Sequence, residues 1–229
     1  MNLPLGIQPG LTTGIIVANV IIWLILQSNH ALLERMLFLY RAVARNREYD
    51  RLIASGFAHY SFVHLLFNML TLYYFGPTVE MLYGRLGFAA IYLLSIIGGN
   101  LFTMVTHRNN LNYSALGASG GLFGVIFAFV WMLPEVSLYL FFIPVGIPGW
   151  LFAIIICWVS MVLSQLPKAG AANISHEGHL GGAVSGALVA LFLHIPIHLR
   201  TEQLAFWVAA ILPVVLFGIW KWVKAGKRR

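Results

Sequence analysis

Long apolar runs separated by short polar breaks dominate this chain. A spanning helix needs about 20 mainly apolar residues, and roughly 17 can suffice. The first such run extends from about Leu11 to Gln27, the second from about Ser61 to Glu80, and the third from about Leu86 to Thr106, closed by the polar tract 107–114. A fourth, glycine-rich run begins near Gly117 and stops before Pro134. A fifth covers about Trp150 to Leu166, a sixth about His179 to Ile197, and a seventh Leu204 to Trp222. Between the first two runs lies a polar, arginine-containing stretch reaching about Ser55. Its intermittent apolar positions (Leu32, Leu33, Met36, Leu37, Leu39, Tyr40) predict interfacial helix. Residues 135–148 are apolar but broken by Pro144 and Pro148, and read as a loop or extended segment. The expected architecture is an all-α membrane protein: a six-helix transmembrane bundle with a seventh C-terminal hydrophobic helix. Residues 1–200 form the core, and 201–229 form the last segment and a basic tail.

Composition supports that reading. Of 229 residues, 60% are hydrophobic and 9% charged, with a mean hydropathy of +0.84; soluble domains carry roughly 25% charged residues. The single cysteine, Cys157, lies in an apolar run, which excludes an internal disulfide framework and a cysteine-rich metal site. The net charge of +7 does not imply nucleic acid. Its basic residues gather beside apolar runs, at Lys221, Lys224, Lys227, Arg228 and Arg229 and again between Arg35 and Arg51, where lipid headgroups are the expected contact. No basic segment precedes the first apolar run, so a cleaved secretory signal is not expected.

Polar side chains within apolar runs are costly in hydrocarbon and commonly mark function. Three groups stand out. The second run holds His59, His64 and Asn68 in HYSFVHLLFNML, the fourth opens with Ser119 in GASGG, and the sixth opens with His176 and His179 in SHEGHLGGAVSG. An isolated serine in a span is usually a small residue at a helix contact. Here Gly117, Gly120, Gly121 and Gly124 surround it just after a polar loop, so Ser119 should occupy a first helical turn, where unpaired N–H groups favour an oxyanion. Gly182 and Gly186 follow His179 at about one-turn spacing and would let the sixth helix pack closely on the fourth. That approach could bring the imidazole to Ser119 as general base. His176 competes for the role but lacks this spacing and falls in the preceding loop. His64 and Asn68, four apart, share a helical face; they form either a polar seam or a donor pair for an oxyanion. Glu80 is the carboxylate expected near a span, paired at the membrane edge with Arg85.

These residues together resemble the rhomboid family: His64 and Asn68 in HLLFN, Ser119 in GASGG, and His179 with Gly182 and Gly186 in GHLGGAVSG, in the family's order and spans. GPTVE, with Gly76 and Glu80, resembles the end of the family's second span. Phe123 occupies the place of an aromatic that packs on the catalytic histidine in relatives. The resemblance covers about residues 11–197. It implies an intramembrane serine protease with a Ser119–His179 dyad, lacking a catalytic aspartate. His64, Asn68 and the Ser119 N–H would bind the oxyanion, with Gly117, Gly120, Phe123, Gly182 and Gly186 in support. Substrates would be the spanning segments of membrane proteins, admitted by movement of the fifth span, and no metal or cofactor would be needed.

Two features depart from the family pattern. The first loop has arginines but lacks the tryptophan of the family's Trp-Arg pair, and the seventh segment exceeds the six-span bacterial core. The resemblance also implies an active site opening to the extracytoplasmic side of the cytoplasmic membrane. Basic residues in the first loop and tail favour the opposite side by the positive-inside rule. The competing functions are a non-proteolytic relative that binds membrane clients, and a small transporter using the polar seam as its path.

Overall fold

The computed structural model of the chain describes residues 10–139, 145–165, 174–193 and 201–226. Pro144, the ends of the fifth run at Leu166 and of the sixth at Ile197, and Lys227, Arg228 and Arg229 lie outside the described residues. The described chain is largely helical. The described part of each of the seven apolar runs is largely helical: α1 (Leu11–Leu26), the two arms of α5 (Phe62–Thr106), α6 (Ser119–Met132), α7 (Gly149–Leu163), α8 (His176–Leu193) and α9 (Thr201–Gly226). Three short helices, α2 (His30–Met36), α3 (Tyr40–Asn46) and α4 (Arg51–Ala54), make up the first loop.

The second and third runs fuse into the 45-residue α5, broken at Gly84 (φ 70, ψ 169). That backbone geometry is open to glycine and strained for other residues. The arms run antiparallel. His64, early in the first, lies against Gly117, and Asn100, late in the second, bonds Leu52 and Ser55 on the same level. At the other end Tyr83 donates to the Ala128 carbonyl, 3.1 Å away.

Among the described residues, α5 is the one helix long and apolar enough to cross a membrane. Helices α1, α6 and α7 are apolar but have 16, 14 and 15 residues. At 1.5 Å per residue they reach about 24 Å or less, against about 30 Å of hydrocarbon.

Helices α5, α6 and α8 pack on one another most extensively and form the centre. Small residues allow this. A Cβ added at Gly182 would overlap the Gly120 carbonyl, one at Gly186 would meet Gly124, and one at Gly99 would stand 2.5 Å from the Gly178 oxygen. Such close backbones leave little room for side chains, so α6 is buried nearly all round from Gly121 to Trp131. Terminal helix α9 lies against α5, α7 and α8, and its Trp207 contacts Phe127 and Trp131 of α6.

Two short ladders tie down the loops. β1 (Phe38–Leu39) pairs antiparallel with β2 (Ser114–Ala115), fastening the first loop to the segment just before α6. β3 (Ser137–Leu138) pairs with β4 (Ile147–Pro148), within the stretch expected to be loop or extended. In the first loop Arg51 is buried and donates to the carbonyls of Glu34 and Leu37 at 2.7 and 2.8 Å and to Glu48 at 2.7 Å. Beside it, Arg35 and Asp50 pair at 2.8 Å. Hydrogen bonding from Arg35 lowers the Asp50 carboxyl below its ordinary range, and bonding from Arg51 does the same to Glu48.

Glu80 lies 3.7 Å from Arg85, as expected, and it has a second, closer role as a cap of α1. Its oxygens accept from Leu11 N–H, Thr12 N–H and the Thr12 hydroxyl at 2.7–2.8 Å, an arrangement that suits the positive end of a helix. The expectation of Glu80 as the one carboxylate near a span needs correction, because Glu177 lies on the first turn of α8 and is 3% exposed.

Candidate active site

Ser119 is the first residue of α6, and no side chain caps that helix. The first N–H groups of a helix have no carbonyl partner within it, so donors collect around the serine. Gly117, just before it, adopts φ +119 and brings the chain against α5: a Cβ there would stand 2.5 Å from His64 Cε1 and 3.7 Å from Asn68 Nδ2. The same glycine donates its N–H to the Ser55 carbonyl at 2.9 Å.

Helix α8 begins at His176 rather than His179, so His176 stands on the helix and not in the preceding loop. Ser175 causes the earlier start. Its hydroxyl accepts from Gly178 N–H at 3.0 Å and its carbonyl from His179 N–H at 3.1 Å, satisfying the first turn as a serine N-cap does. The close packing of Gly182 on Gly120 and Gly186 on Gly124 then sets α8 beside α6.

The outcome is a contact between Ser119 Oγ and His179 Nε2 at 2.7 Å. The His179 ring stacks on Phe123, centroids 4.4 Å apart and planes 14° from parallel. His176 meets that ring edge-on at 5.4 Å. Ser160 Oγ on α7 stands 3.5 Å from His179 Nδ1. A serine O–H donating to Nε2 requires the neutral tautomer with its proton on Nδ1, facing that hydroxyl.

On the far side of Ser119, His64 and Asn68 project from the first arm of α5. Asn68 Nδ2 is 2.9 Å from His59 Nε2, and the Ala118 N–H reaches the same nitrogen at 3.4 Å. Two N–H donors converging on one ring nitrogen make it an acceptor, so His59 is neutral and protonated on Nδ1. Burial, with His64 nearby, depresses its pKa to about 3. The His59 and His64 rings lie edge to face, 5.1 Å apart. Behind Ser119 a cavity of about 20 Å³ is bounded by Ser55, Asn100, Ser175 and the glycines 117, 120 and 178, the room needed for roughly one water.

The structure therefore gathers Ser119, His179, His64, Asn68, Gly117, Gly120 and Phe123 in one place, and Gly182 and Gly186 form the close α6–α8 crossing beside them. It adds three that the sequence reading left without a role. His59 anchors Asn68 to the start of α6, Ser175 caps α8, and Ser160 faces the histidine. His59 was visible as a polar residue beside an apolar run. Nothing in the local sequence separates Ser160 from other small residues at helix contacts.

Fold and site define a helical membrane protein in which a serine–histidine pair sits among three tightly packed helices. The chain belongs to the rhomboid family, whose Rhomboid domain model matches residues 46–196. Among curated proteins it is similar to "Rhomboid protein 1, mitochondrial" of Saccharomyces cerevisiae, 34% identical over 150 residues that cover 62% of this chain and 41% of that protein. It is similar also to "RHOMBOID-like protein 12, mitochondrial" of Arabidopsis thaliana, 31% identical over 153 residues covering 60% and 44%. "Putative rhomboid protease YdcA" of Bacillus subtilis is 37% identical over 94 residues covering 41% and 46%. The matched part thus spans less than half the length of each of these relatives.

Proposed function

We propose that this protein is an intramembrane serine endopeptidase that cleaves the spanning segments of membrane proteins. The observation carrying this reading is the 2.7 Å contact between Ser119 Oγ and His179 Nε2, at an uncapped helix start flanked by His64 and Asn68. Ser119 attacks the scissile carbonyl while His179 Nε2 takes its proton, and the tetrahedral oxyanion is met by the Ser119 N–H, His64 and Asn68. The Asn68 amide carries two N–H groups; one is committed to His59, leaving the second for substrate. His179 then protonates the leaving amine, and water hydrolyses the acyl-enzyme with His179 again acting as base. Stacking on Phe123 holds the ring in plane through both steps.

In this reading residues 1–200 form a six-helix transmembrane bundle and 201–229 add a seventh hydrophobic helix with a basic tail. The site opens on the extracytoplasmic side of the cytoplasmic membrane, α7 moves aside to admit substrate, and no metal or cofactor takes part. The test compares purified wild type with Ser119→Ala in liposomes, on a labelled transmembrane segment with small and helix-breaking residues, reading product masses. Cleavage by wild type alone supports the proposal. Equal cleavage by both, or no Ser119-dependent labelling of folded protein by a fluorophosphonate, overturns it.

A further inference from the structure

Glu177 is a carboxylate within a helix, 3% exposed, two residues before His179. A buried carboxylate is strongly unfavourable unless it is paired and hydrogen-bonded. Its partners come from two other elements. His107 Nε2, from the C-cap of α5, stands 3.0 Å from Glu177 Oε1, and Lys221 Nζ, from α9, stands 3.5 Å from the same oxygen. The side chains of His107 and Lys221 are each 19% exposed, so the pair is largely shielded from water.

The surroundings make this a rigid joint. His107 stacks on Tyr113 at 3.7 Å, and Tyr113 O–H donates to Ser175 Oγ at 3.1 Å. Ser175, the cap of α8, also lies 3.0 Å from Thr103 Oγ1. The first turn of α8, which carries His179, is therefore held by α5 through Ser175 and by α9 through Glu177. Helix α9 is fixed at the same level by Arg108, which donates to the Trp222 carbonyl at 2.8 Å and lies over the Trp222 ring at 4.7 Å.

Helix α9 begins at Thr201, beyond the residues 46–196 that match the Rhomboid domain. An element outside the matched domain thus reaches a buried carboxylate beside the proposed base. We infer that the Lys221–Glu177 pair is a latch by which the terminal helix fixes the first turn of α8, making both residues positioning residues for His179. The inference rests on the protease reading for its catalytic consequence, though not for the latch itself. Positions i and i+2 of a helix face different ways, so Glu177 acts through the helix backbone rather than by touching the imidazole.

The test uses the full chain in detergent micelles, with Glu177→Gln, Lys221→Met, the double variant, Lys221→Arg for rescue and Lys224→Met as a nearby control. Amide hydrogen exchange across residues 176–180 is read alongside kcat, KM and the rate of fluorophosphonate labelling. A latch predicts exchange in that turn at least tenfold faster in Glu177→Gln and Lys221→Met. It also predicts kcat and labelling down about tenfold with KM within twofold, a double variant no worse than Glu177→Gln, and recovery in Lys221→Arg. Lys224→Met should match wild type. Unchanged exchange at 176–180 overturns the latch. Additive losses in the double variant without arginine rescue overturn the pairing, because they describe two independent packing defects. If exchange quickens while the wild type neither cleaves nor labels, the latch stands and the protease reading fails.

Discussion

Gly182 of α8 lies so close to Gly120 of α6 that a Cβ at 182 would overlap the Gly120 carbonyl oxygen and stand 2.8 Å from its carbon. The obstacle is backbone, which cannot swing aside as a side chain can. Since Gly120 adjoins Ser119, any separation of the two helices lengthens the contact between Ser119 and His179.

Gly182→Ala should therefore destabilise the fold by about 1–3 kcal/mol, the range for overpacking a dense core, and should cut Ser119 labelling more than this loss of folded protein explains. Gly14→Ala is the comparison, because nothing lies within 4 Å of a Cβ at that helical position; alanine there should be neutral or stabilising by about 0.5–1 kcal/mol. Thermal unfolding in detergent with fluorophosphonate labelling measures both. Equal behaviour of the two variants would mean that α6 and α8 have slack at this crossing.

The paired residues also rank the histidines. His179→Ala should lower kcat by about 10²–10⁴-fold, the usual contribution of a general base, and Ser119→Ala should abolish turnover. His176 touches the base only edge-on, so His176→Ala should be the milder change. Ser160→Ala should cost less than about tenfold, since at 3.5 Å its hydroxyl orients Nδ1 only weakly. Cleavage rates at saturating substrate decide the order, and a larger loss in His176→Ala would identify that residue as the base instead.

Much of this site was legible because its signals are local. The polar residues stand out against apolar runs, the four-residue spacing puts His64 and Asn68 on one face, and the turn-spaced glycines after His179 mark a close helix contact. What escaped depends on distant pieces meeting. His59 has a role only because Asn68 and Ala118 converge on one of its nitrogens. Glu177 draws no notice in the sequence, where the sixth helix is expected to start at His179, yet Ser175 starts the helix early and the carboxylate meets His107 and Lys221 from α5 and α9. Glu80 drew attention through its neighbour Arg85, whereas its principal partners are the first N–H groups of α1, nearly seventy positions away. Fusion of the second and third runs into α5 turned on a single glycine, Gly84, whose conformation sequence periodicity does not report.

Removing one oxyanion donor commonly lowers kcat by about 10²–10³-fold. His64→Ala and Asn68→Ala should each slow cleavage toward that extent with smaller changes in KM. Asn68→Ala should be the more damaging to the fold, since it also leaves His59 Nε2 short of a donor within a buried site. Kinetics on a transmembrane substrate, with thermal unfolding alongside, separate these effects. A rise in KM alone, with kcat intact, would make the two residues part of substrate binding rather than oxyanion stabilisation.

His59 also predicts a pH dependence. Its folded pKa, depressed by burial to about 3, lies below the 6.5 of the unfolded chain, so between these values the unfolded state binds the extra proton. Stability from keeping His59 neutral is full above pH 6.5 and is lost as pH falls toward 3, at a slope approaching about 1.4 kcal/mol per pH unit. The side-chain carbonyl introduced by His59→Gln can still accept from Asn68 but does not titrate. This variant should therefore unfold with a shallower pH dependence just below pH 6.5, the value at which the unfolded histidine begins to charge. That window lies above the range of Glu48 and Asp50, whose carboxylates contribute lower down. Parallel profiles for wild type and variant would show that protonation of His59 is not resisted by its site.

Arg51 makes the last prediction, because it links the first loop to the serine. Its guanidinium binds two carbonyls near the end of α2 and the Glu48 carboxylate at once, a fork that a lysine ammonium cannot reproduce. Removing this buried donor leaves the Glu34 and Leu37 carbonyls short of a partner, which is costly in a shielded setting, so Arg51→Ala should unfold the first loop locally, and Arg51→Lys should recover little. The loop is joined through β1 to Ser114–Ala115, and Ser55 within it accepts the Gly117 N–H. Loosening should therefore spread to the segment before Ser119. Hydrogen exchange should quicken at residues 30–57 and again at 114–117, with Ser119 labelling slowed in proportion. Faster exchange in the loop alone, with labelling unchanged, would confine Arg51 to the stability of the loop and separate that loop from the chemistry.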